Sequence, residues 1–227
     1  MNNNFSATIE GAFKSNKFVI LDTETTGLRY PAEIIEICVL DFMGDRIVDT
    51  RVKPKRKIPA DATKIHGITD ADVASAPSWI DVRRDVIEAL RDKHLIIYNS
   101  DYDLNMLHWT DKLHGISFDW QELIKQSHCA MLWYAEFHGE VNEYYGSYRW
   151  QKLSNACRKM GVDVVDAHCA YADARMTHQL INAVIRVQSL ADIAESMNTD
   201  PECLHPVVDD SANGDRVCRD CGKTWTV

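Results

Sequence analysis

The stretch that most constrains this chain runs from Phe18 to Leu28, where an apolar segment leads into two carboxylates, Asp22 and Glu24. Their spacing of two residues places both side chains on the same face of a strand. Two neighbouring anions at the end of a buried strand repel each other and lose hydration unless a cation lies between them. Hard divalent metals prefer such oxygen ligands. The stretch therefore predicts a metal site, and Gly27 lets the backbone leave the strand sharply.

The length of 227 residues fits one large domain, or one medium domain with a small appendage. With 25 basic and 34 acidic residues, the net charge of −9 argues against a passive nucleic-acid coat, which would be basic. It does not argue against an enzyme that meets phosphate through bound metal ions, because those ions reverse the local charge. We expect no secretory signal and no membrane span, and the odd count of seven cysteines favours a reducing, cytoplasmic setting.

The patterning of residues 15–190 predicts a mixed α/β domain. Three segments rich in β-branched residues follow one another with short links and predict an antiparallel meander; they are residues 18–24, 34–42 and 46–52. A short apolar run over 95–98 is typical of a buried parallel strand. Apolar residues at helical spacing predict four helices, over 79–90, 101–114, 151–160 and 170–190.

Two further segments have open interpretations. The segment 51–57 holds five cations in seven residues, and it is either a solvated loop or a contact for the nucleic-acid backbone. The segment 115–150 is rich in aromatic residues. Most of these rings are expected in the core or in a flap, and a minority as platforms on which nucleobases stack.

More carboxylates follow the parallel strand and open the last helix. Asp101 and Asp103 come just after residues 95–98, where open α/β sheets place ligand groups, and we expect one to cap a helix while the other faces the site. His168 and Asp173 are five residues apart, which is about 140° around a continuous helix. A joint role requires His168 on the loop before the helix and Asp173 in its first turns. The alternative is a capping histidine and a solvated aspartate.

Three segments together resemble the exonuclease motifs of the DEDDh (DnaQ-like) family, which includes the proofreading exonuclease subunit of bacterial replicative DNA polymerase. They are Asp22–Leu28, Asn99–Asp103 and His168–Ala174, in the family's order. Each motif alone is weak, whereas the three together are specific. Tyr102 departs from the pattern, since the family mostly has Phe there. The segment His66–Thr69 matches a loop that is common in the family.

The resemblance implies an exonuclease domain over residues 15–195 with a ribonuclease H-like fold. That fold is an α/β mixed sheet, with three antiparallel strands and then parallel strands, flanked by helices. The implied ligands of two Mg²⁺ or Mn²⁺ ions are the carboxylates of Asp22, Glu24, Asp103 and Asp173, with Asp103 favoured over Asp101. The implied general base is His168, because a histidine with a near-neutral pKa can take a proton from water.

The implied activity is 3′→5′ hydrolysis of phosphodiester bonds at DNA 3′ ends, with single strands preferred and nucleoside 5′-monophosphates released. Positions that match those holding the substrate are Thr25, Leu28, His66 and Asn99. One alternative is an exoribonuclease of the same family. Another is a binding module that acts through its tail, although all five catalytic positions are filled. A polymerase or another replication or repair protein is an expected partner.

The tail over residues 200–227 differs in composition from the preceding domain. Two close pairs of ligand-type side chains have spacing that suits tetrahedral Zn²⁺; they are Cys203, His205, Cys218 and Cys221. So short a segment buries little core by itself, and a metal would compensate for that. The sequence predicts a small hairpin stapled by one structural Zn²⁺. The alternative is a set of free thiols.

Overall fold

The computed structural model describes residues 17–165 and 168–198, together with Gly11 and the short segments 209–210, 215–217 and 224–226. The chain divides into two compact units, Met1–Ile185 and Arg186–Val227. The expected boundary between residues 195 and 200 stays a prediction. Within the described part, no helix combines the length and the apolar character needed to cross a bilayer.

The main sheet has five strands in the order β3-β2-β1-β4-β5. Their bounds are β1 (Phe18–Thr25), β2 (Ile34–Leu40), β3 (Arg46–Arg51), β4 (His94–Ile97) and β5 (Gln126–Cys129). The first three strands pair in antiparallel fashion, whereas β4 pairs in parallel with both β1 and β5. The predicted meander, the predicted parallel strand and the mixed sheet are therefore confirmed.

Eight helices occur among the described residues. They are α1 (Ala60–His66), α2 (Asp70–Val73), α3 (Trp79–Leu90), α4 (Ser100–Leu113), α5 (Trp120–Leu123), α6 (Ala130–His138), α7 (Leu153–Lys159) and α8 (Ala170–Asn198). The four predicted helices are present as α3, α4, α7 and α8. The strand β5 and the helix α6 were not predicted. Residues 126–129 read Gln-Ser-His-Cys, so their strand conformation depends on pairing with β4 rather than on an apolar pattern.

Side chains of β1 alternate between two apolar layers. Val19 and Leu21 pack in the cluster that contains Trp79 of α3 and Leu107 of α4. Phe18 and Ile20 pack in the opposite cluster, with residues of α6, α7 and α8. Burying each such side chain contributes about 1.5–3 kcal/mol. The same alternation carries Asp22 and Glu24 onto the α8 side of the sheet and Thr23 onto the α4 side.

A buried carboxylate ties three helices together on the α4 side. Asp111 accepts hydrogen bonds from Trp79 Nε1 at 2.7 Å and from Trp120 Nε1 at 3.0 Å. The guanidinium of Arg83 adds bonds of 2.7 and 3.1 Å to the two carboxylate oxygens. Because every oxygen has partners, this buried anion is compensated and holds α3, α4 and α5 in one arrangement.

Two small sheets complete the described structure. The strands β6 (Val141–Asn142) and β7 (Ser147–Tyr148) form a hairpin between α6 and α7. In the tail, β8 (Asp209–Asp210), β9 (Asp215–Val217) and β10 (Thr224–Thr226) form an antiparallel sheet in the order β10-β9-β8. The antiparallel pairing of β8 with β9 falls where the sequence predicts a hairpin, and the zinc-stapled hairpin itself stays a prediction. The predicted zinc ligands Cys203, His205, Cys218 and Cys221 lie outside the described residues.

Candidate active site

Three carboxylates converge at the end of the central strand. Ligand oxygens of Asp22, Glu24 and Asp173 all lie within 4.8 Å of one another. β1 supplies the first two on one face, and the first turn of α8 supplies the third. The sequence spacing alone could not show this, because Asp173 is about 150 residues from β1. It reaches the site because α8 packs on the face of the sheet to which Asp22 and Glu24 point.

Asp103 approaches the same strand end from the other layer. It lies in the first turn of α4, is 4% exposed, and accepts a 2.6 Å hydrogen bond from Thr23 Oγ1. Asp103 lies outside the group of three, yet its charge is the strongest of those that raise the pKa of Asp22. Asp101, the alternative position, is exposed to solvent. The structure therefore places Asp103, and not Asp101, beside the cluster.

Burial and mutual repulsion raise the pKa values of the carboxylates in this cluster. Burial is the main cause that raises the pKa of Glu24 to about 8 and the pKa of Asp103 to about 7. Burial likewise raises the pKa of Asp22 well above its usual range, and raises the pKa of Asp173. A divalent cation would offset both the repulsion and the lost hydration. The donor set consists of hard oxygens, which fits Mg²⁺ or Mn²⁺.

His168 lies on the loop directly before α8, exposed to solvent, as a joint role with Asp173 requires. Its backbone N–H donates to Asp173 Oδ1 at 3.4 Å. The residue has a φ of 73°, in the left-handed region that a non-glycine residue enters at a cost. His168 and Asp173 also line one groove of about 600 Å³. Asp173 is the member of the carboxylate cluster that lines this groove.

Glu36 is a functional candidate that the sequence analysis missed. It lies on β2 directly opposite Glu24 and is largely buried. Its Oε2 accepts a 2.9 Å hydrogen bond from the N–H of Ala170, the first residue of α8. Glu36 therefore holds the helix end that carries Asp173. The sequence feature that could have identified Glu36 is its position as a carboxylate in the middle of the otherwise apolar strand Ile34–Leu40.

The proposed nucleotide-holding positions surround the end of β1. The hydroxyls of Thr25 and Tyr102 are in hydrogen-bond contact, and they lie 2.9 and 3.0 Å from the Gly27 carbonyl. The departure from Phe at Tyr102 thus adds a hydroxyl that ties α4 to the loop after β1. Leu28 on that loop is 74% exposed and free to contact a ligand.

His66 and Asn99 flank the same region from different elements. His66 ends α1, and its Nδ1 accepts a 3.0 Å hydrogen bond from the N–H of Ile68. Burial lowers the pKa of His66, while the nearby Thr25 backbone acts in the opposite direction. Asn99 is exposed and lines the groove that His168 and Asp173 share. All four positions are therefore near the strand end.

The basic segment 51–57 is anchored beside the strand end by a buried carboxylate. Glu33 is 1% exposed and accepts hydrogen bonds from the backbone N–H groups of Lys55 and Arg56, at 2.9 and 3.0 Å. Glu33 itself pairs with Thr26 through backbone and side-chain bonds of 2.9 Å. The side chains of Lys55, Arg56 and Lys57 are exposed. The backbone of this segment is thus fixed, and Lys55 Nζ donates a 2.7 Å hydrogen bond to the carbonyl of Leu113, the last residue of α4.

Comparison with known proteins gives the same assignment from sequence. The RNase_T family model, described as exonuclease, matches residues 19–181. The uncharacterized exonuclease CP81 of Escherichia phage 186 is 44% identical over 171 residues, which are 74% of this chain and 88% of that protein. The DNA polymerase III subunit epsilon of Buchnera aphidicola subsp. Schizaphis graminum is 34% identical over 103 residues. That match spans 41% of this chain and 44% of the polymerase subunit.

The solved nuclease domain of 3′hExo, a DEDDh family member bound to rAMP, has the same fold. The TM-score is 0.59 at 20% identity, and the match covers 76% of this chain and 92% of that one. This likeness supports the ribonuclease H-like mixed sheet. The phage relative and the extent of the family match decide the assignment more directly. With residues 19–181 matched and an acidic cluster at the end of β1, the chain belongs to the RNase_T exonuclease family.

Proposed function

We propose that this exonuclease removes nucleotides from the 3′ ends of DNA, with single strands preferred, and releases nucleoside 5′-monophosphates. The observation that carries the proposal is the convergence of Asp22, Glu24 and Asp173 within 4.8 Å at the end of the central strand. Asp103 lies beside them, and His168 opens onto the same groove as Asp173. Metal-assisted hydrolysis of a phosphodiester uses this combination of anionic metal ligands and a proton acceptor.

Asp22, Glu24, Asp103 and Asp173 would hold two Mg²⁺ or Mn²⁺ ions. When bound, such a pair supplies Lewis acidity and offsets the charge that develops on the attacking and leaving oxygens. The residues contribute a rigid ligand set. Thr23 orients Asp103, and Glu36 holds the helix end that bears Asp173. Rigid placement matters because a ligand displaced by a fraction of an ångström loses its alignment with the scissile bond.

His168 would act as the general base that takes a proton from the attacking water. Its loop position lets the imidazole approach the groove, whereas a position inside α8 would turn it away from Asp173. The exposed ring can return the proton to solvent after each turnover. General-base assistance of this kind is worth about 10²–10⁴-fold in rate.

The terminal nucleotide would be held around the end of β1. Leu28 has an exposed apolar side chain that would contact a nucleobase. His66, Thr25 and Asn99 would lie around the same nucleotide. The exposed cations of segment 51–57 would contact phosphates, and the backbone bonds from Lys55 and Arg56 to Glu33 support this interpretation over a solvated loop. These contacts supply affinity, and the carboxylate cluster supplies the chemistry.

DNA is the favoured substrate because curated relatives are named as DNA polymerase III epsilon subunits. The same names support a polymerase as a partner, although the chain spans less than half of the matched Buchnera subunit. The alternative substrate is RNA, because a structural neighbour at 20% identity is bound to rAMP. Both substrates belong in the test.

The decisive experiment incubates 5′-labelled single-stranded DNA, duplex DNA and RNA with Mg²⁺, Mn²⁺ or a chelator. We expect a metal-dependent ladder that shortens from the 3′ end, fastest on single-stranded DNA. Asp22→Asn and Asp103→Asn should abolish it. Asp101→Asn is the matched control, because it makes the same change at an exposed carboxylate in the same helix turn as Asp103. A ladder unchanged in Asp22→Asn would refute the proposal, and a faster ladder on RNA would reassign the substrate.

For the tail, we propose one structural Zn²⁺ held by Cys203, His205, Cys218 and Cys221. Support comes from the ligand types and their spacing in the sequence. Metal analysis of the purified protein should give about one zinc per chain, and Cys218→Ser should remove it. Zinc content that is the same in both proteins would reject the site.

A further inference from the structure

The hairpin over residues 139–150 exposes three neighbouring aromatic rings. Tyr144 is 87% exposed, Tyr145 is 74% exposed, and Trp150 is 66% exposed. Single exposed apolar residues are ordinary, but a group of large rings on one short hairpin marks a binding surface. Other rings of the aromatic segment, such as Trp120, Trp133 and Tyr134, are buried in the core. We refer to residues 139–150 as the aromatic hairpin.

The base of the aromatic hairpin is held in place. Glu140 accepts the backbone N–H of Arg149 at 2.7 Å through its carbonyl, and its carboxylate lies 3.2 Å from Arg149 Nε. The same carboxylate accepts a 3.1 Å bond from Gln151 Nε2. Tyr98, which directly follows β4, donates a 2.8 Å bond to the Gln151 carbonyl. Trp150 therefore lies between two anchored residues while its indole remains exposed, which lowers the ordering cost of binding.

Trp150 separates the active-site groove from a second hollow. On one side it lines the groove of about 600 Å³ that contains Asn99, His168 and Asp173. On the other side it lines a hollow with Tyr145 and Arg149. Trp150 is thus shared by the groove that contains Asp173 and by the hollow that contains Tyr145.

We propose that the aromatic hairpin binds unpaired nucleobases of the strand just 5′ of the terminal nucleotide, with Trp150 stacking on the nearer base and Tyr145 on the following one. The inference rests on the proposed function, since it names how that site holds its substrate. Continuity of the groove with His168 and Asp173 selects nucleic acid over a protein as the occupant. Stacking on aromatic rings accepts any base but requires an unpaired face. The hairpin therefore selects single-stranded ends.

The test is a double-mutant cycle between the protein and the substrate. Release of the first nucleotide from a single-stranded oligonucleotide is compared with release from the same oligonucleotide carrying one abasic residue at the penultimate or the preceding position. The proteins are the wild type, Trp150→Ala, Trp150→Phe and the control Ile80→Ala, which truncates an exposed apolar side chain on α3. Far-ultraviolet circular dichroism verifies that each variant is folded.

Trp150→Ala should lower kcat/KM on the intact oligonucleotide by roughly five- to a hundredfold, the range for loss of one stacked base. Trp150→Phe should restore most of that loss, because it keeps a stacking ring. With the wild type, kcat/KM on one of the two abasic substrates should be lower than on the intact oligonucleotide by a similar factor. On that abasic substrate, Trp150→Ala should lower kcat/KM little further. The inference would be overturned if the abasic residue lowered kcat/KM by the same factor in the wild type and in Trp150→Ala. It would also be overturned if Trp150→Ala kept the wild-type kcat/KM on the intact oligonucleotide, and the aromatic hairpin would then be a contact surface for a protein partner.

A substrate without upstream nucleotides separates this inference from the proposed function. The p-nitrophenyl ester of thymidine 5′-monophosphate occupies only the terminal position, so its Mn²⁺-dependent hydrolysis by the wild type reports on the carboxylate cluster. If the wild type cleaves neither the ester nor the oligonucleotides, the proposed function fails. If the ester is cleaved and Trp150→Ala reduces both substrates by the same factor, only the stacking inference fails. We expect the loss on the oligonucleotide to exceed the loss on the ester.

Discussion

Thr23 Oγ1 donates a 2.6 Å hydrogen bond to Asp103 Oδ1, joining residues that are 80 positions apart in the chain. Thr23 points away from Asp22 and Glu24, because it alternates with them along β1. The bond therefore brings a carboxylate from the α4 layer to the strand end that carries the other acids. It explains how a site with ligands from both layers of the fold is held together.

Removing this hydroxyl should impair the site without unfolding the protein. Thr23→Val keeps the shape of the side chain but removes the donor, and a hydrogen bond to a charged group contributes about 1.5–3 kcal/mol. We expect a lower kcat/KM and a higher Mn²⁺ concentration at half-maximal activity. Thr23→Ser, which keeps the hydroxyl, is the control. A Thr23→Val enzyme with wild-type metal dependence would show that Asp103 needs no such orientation.

Glu36 should act by positioning α8, and two substitutions separate its roles. Glu36→Ala removes the acceptor of the Ala170 N–H, whereas Glu36→Gln keeps an acceptor and removes the charge. We expect Glu36→Ala to lower the free energy of unfolding by about 1–3 kcal/mol and also to lower kcat/KM. Glu36→Gln should retain most of the stability. Urea unfolding and steady-state kinetics measure both effects, and equal stability of the two variants would contradict the capping role.

Divalent metal should stabilise the protein more strongly at higher pH. Burial and repulsion raise the pKa of Glu24 to about 8 and of Asp103 to about 7, above their ordinary values. In the metal-free protein, the stability from these groups is complete below the ordinary carboxyl range and is lost as the pH rises through those raised values. Metal replaces the protons, so the increase in Tm caused by Mn²⁺ should grow between about pH 6 and pH 8.

Differential scanning calorimetry with Mn²⁺ or a chelator measures that increase. Asp22→Asn should reduce it strongly, and Asp101→Asn should leave it close to that of the wild type. An increase in Tm that is constant across this pH range would argue that the carboxylates are already ionised without metal.

The buried His128, paired with the half-buried His94, should make the fold sensitive to acid. His128 Nε2 lies 3.1 Å from His94 Nδ1, and burial, with a smaller effect of His94, lowers the pKa of His128 to about 4. Because the folded state disfavours the charged ring, this stability is present above the ordinary histidine pKa and is lost as the pH falls towards about 4. The full loss is on the order of 3 kcal/mol.

His128→Phe should therefore show a smaller fall in unfolding free energy between about pH 6.5 and pH 4.5 than the wild type. Comparison of the two proteins in chelator cancels the contribution of the carboxylate cluster, which has the opposite sign. The exposed His108 provides the control, as His108→Phe. Identical pH profiles for His128→Phe and the wild type would contradict the prediction.

The basic segment should contribute salt-dependent binding. Arg56→Ala with Lys57→Ala removes two exposed cations but leaves the backbone bond from Arg56 to Glu33 intact. We expect weaker binding of single-stranded DNA and a slope of log affinity against log salt that is shallower by up to about 1.4. Arg84→Ala with Arg91→Ala makes the same change in net charge on α3 and directly after it. Equal salt slopes in the two double variants would place segment 51–57 outside the binding surface.

Much of the architecture could be predicted because its signals are local. Helical spacing in α3 and β-branched runs in β1 to β3 reflect periodicities that a few neighbouring residues reveal. The strand β5 and the helix α6 escaped prediction. Residues 126–129 lack an apolar pattern, and α6 is apolar over most of its surface. Neither segment therefore has the one-sided apolar periodicity from which a strand or an amphipathic helix is predicted. Their conformations are decided by β4 and the core beside them.

The chemistry of the candidate site is legible in the residue order: paired acids after an apolar strand, an acid after the next buried strand, and a histidine before the last helix. Which of these groups meet depends on the tertiary structure. It brought Asp173 to β1, placed Asp103 rather than Asp101 beside the cluster as the family resemblance implied, and revealed Glu36 and the aromatic hairpin. Residue types and short spacings specify reactivity, because that depends on the functional group. Convergence depends on how the helices pack on each face of the sheet, and that is a property of the whole fold.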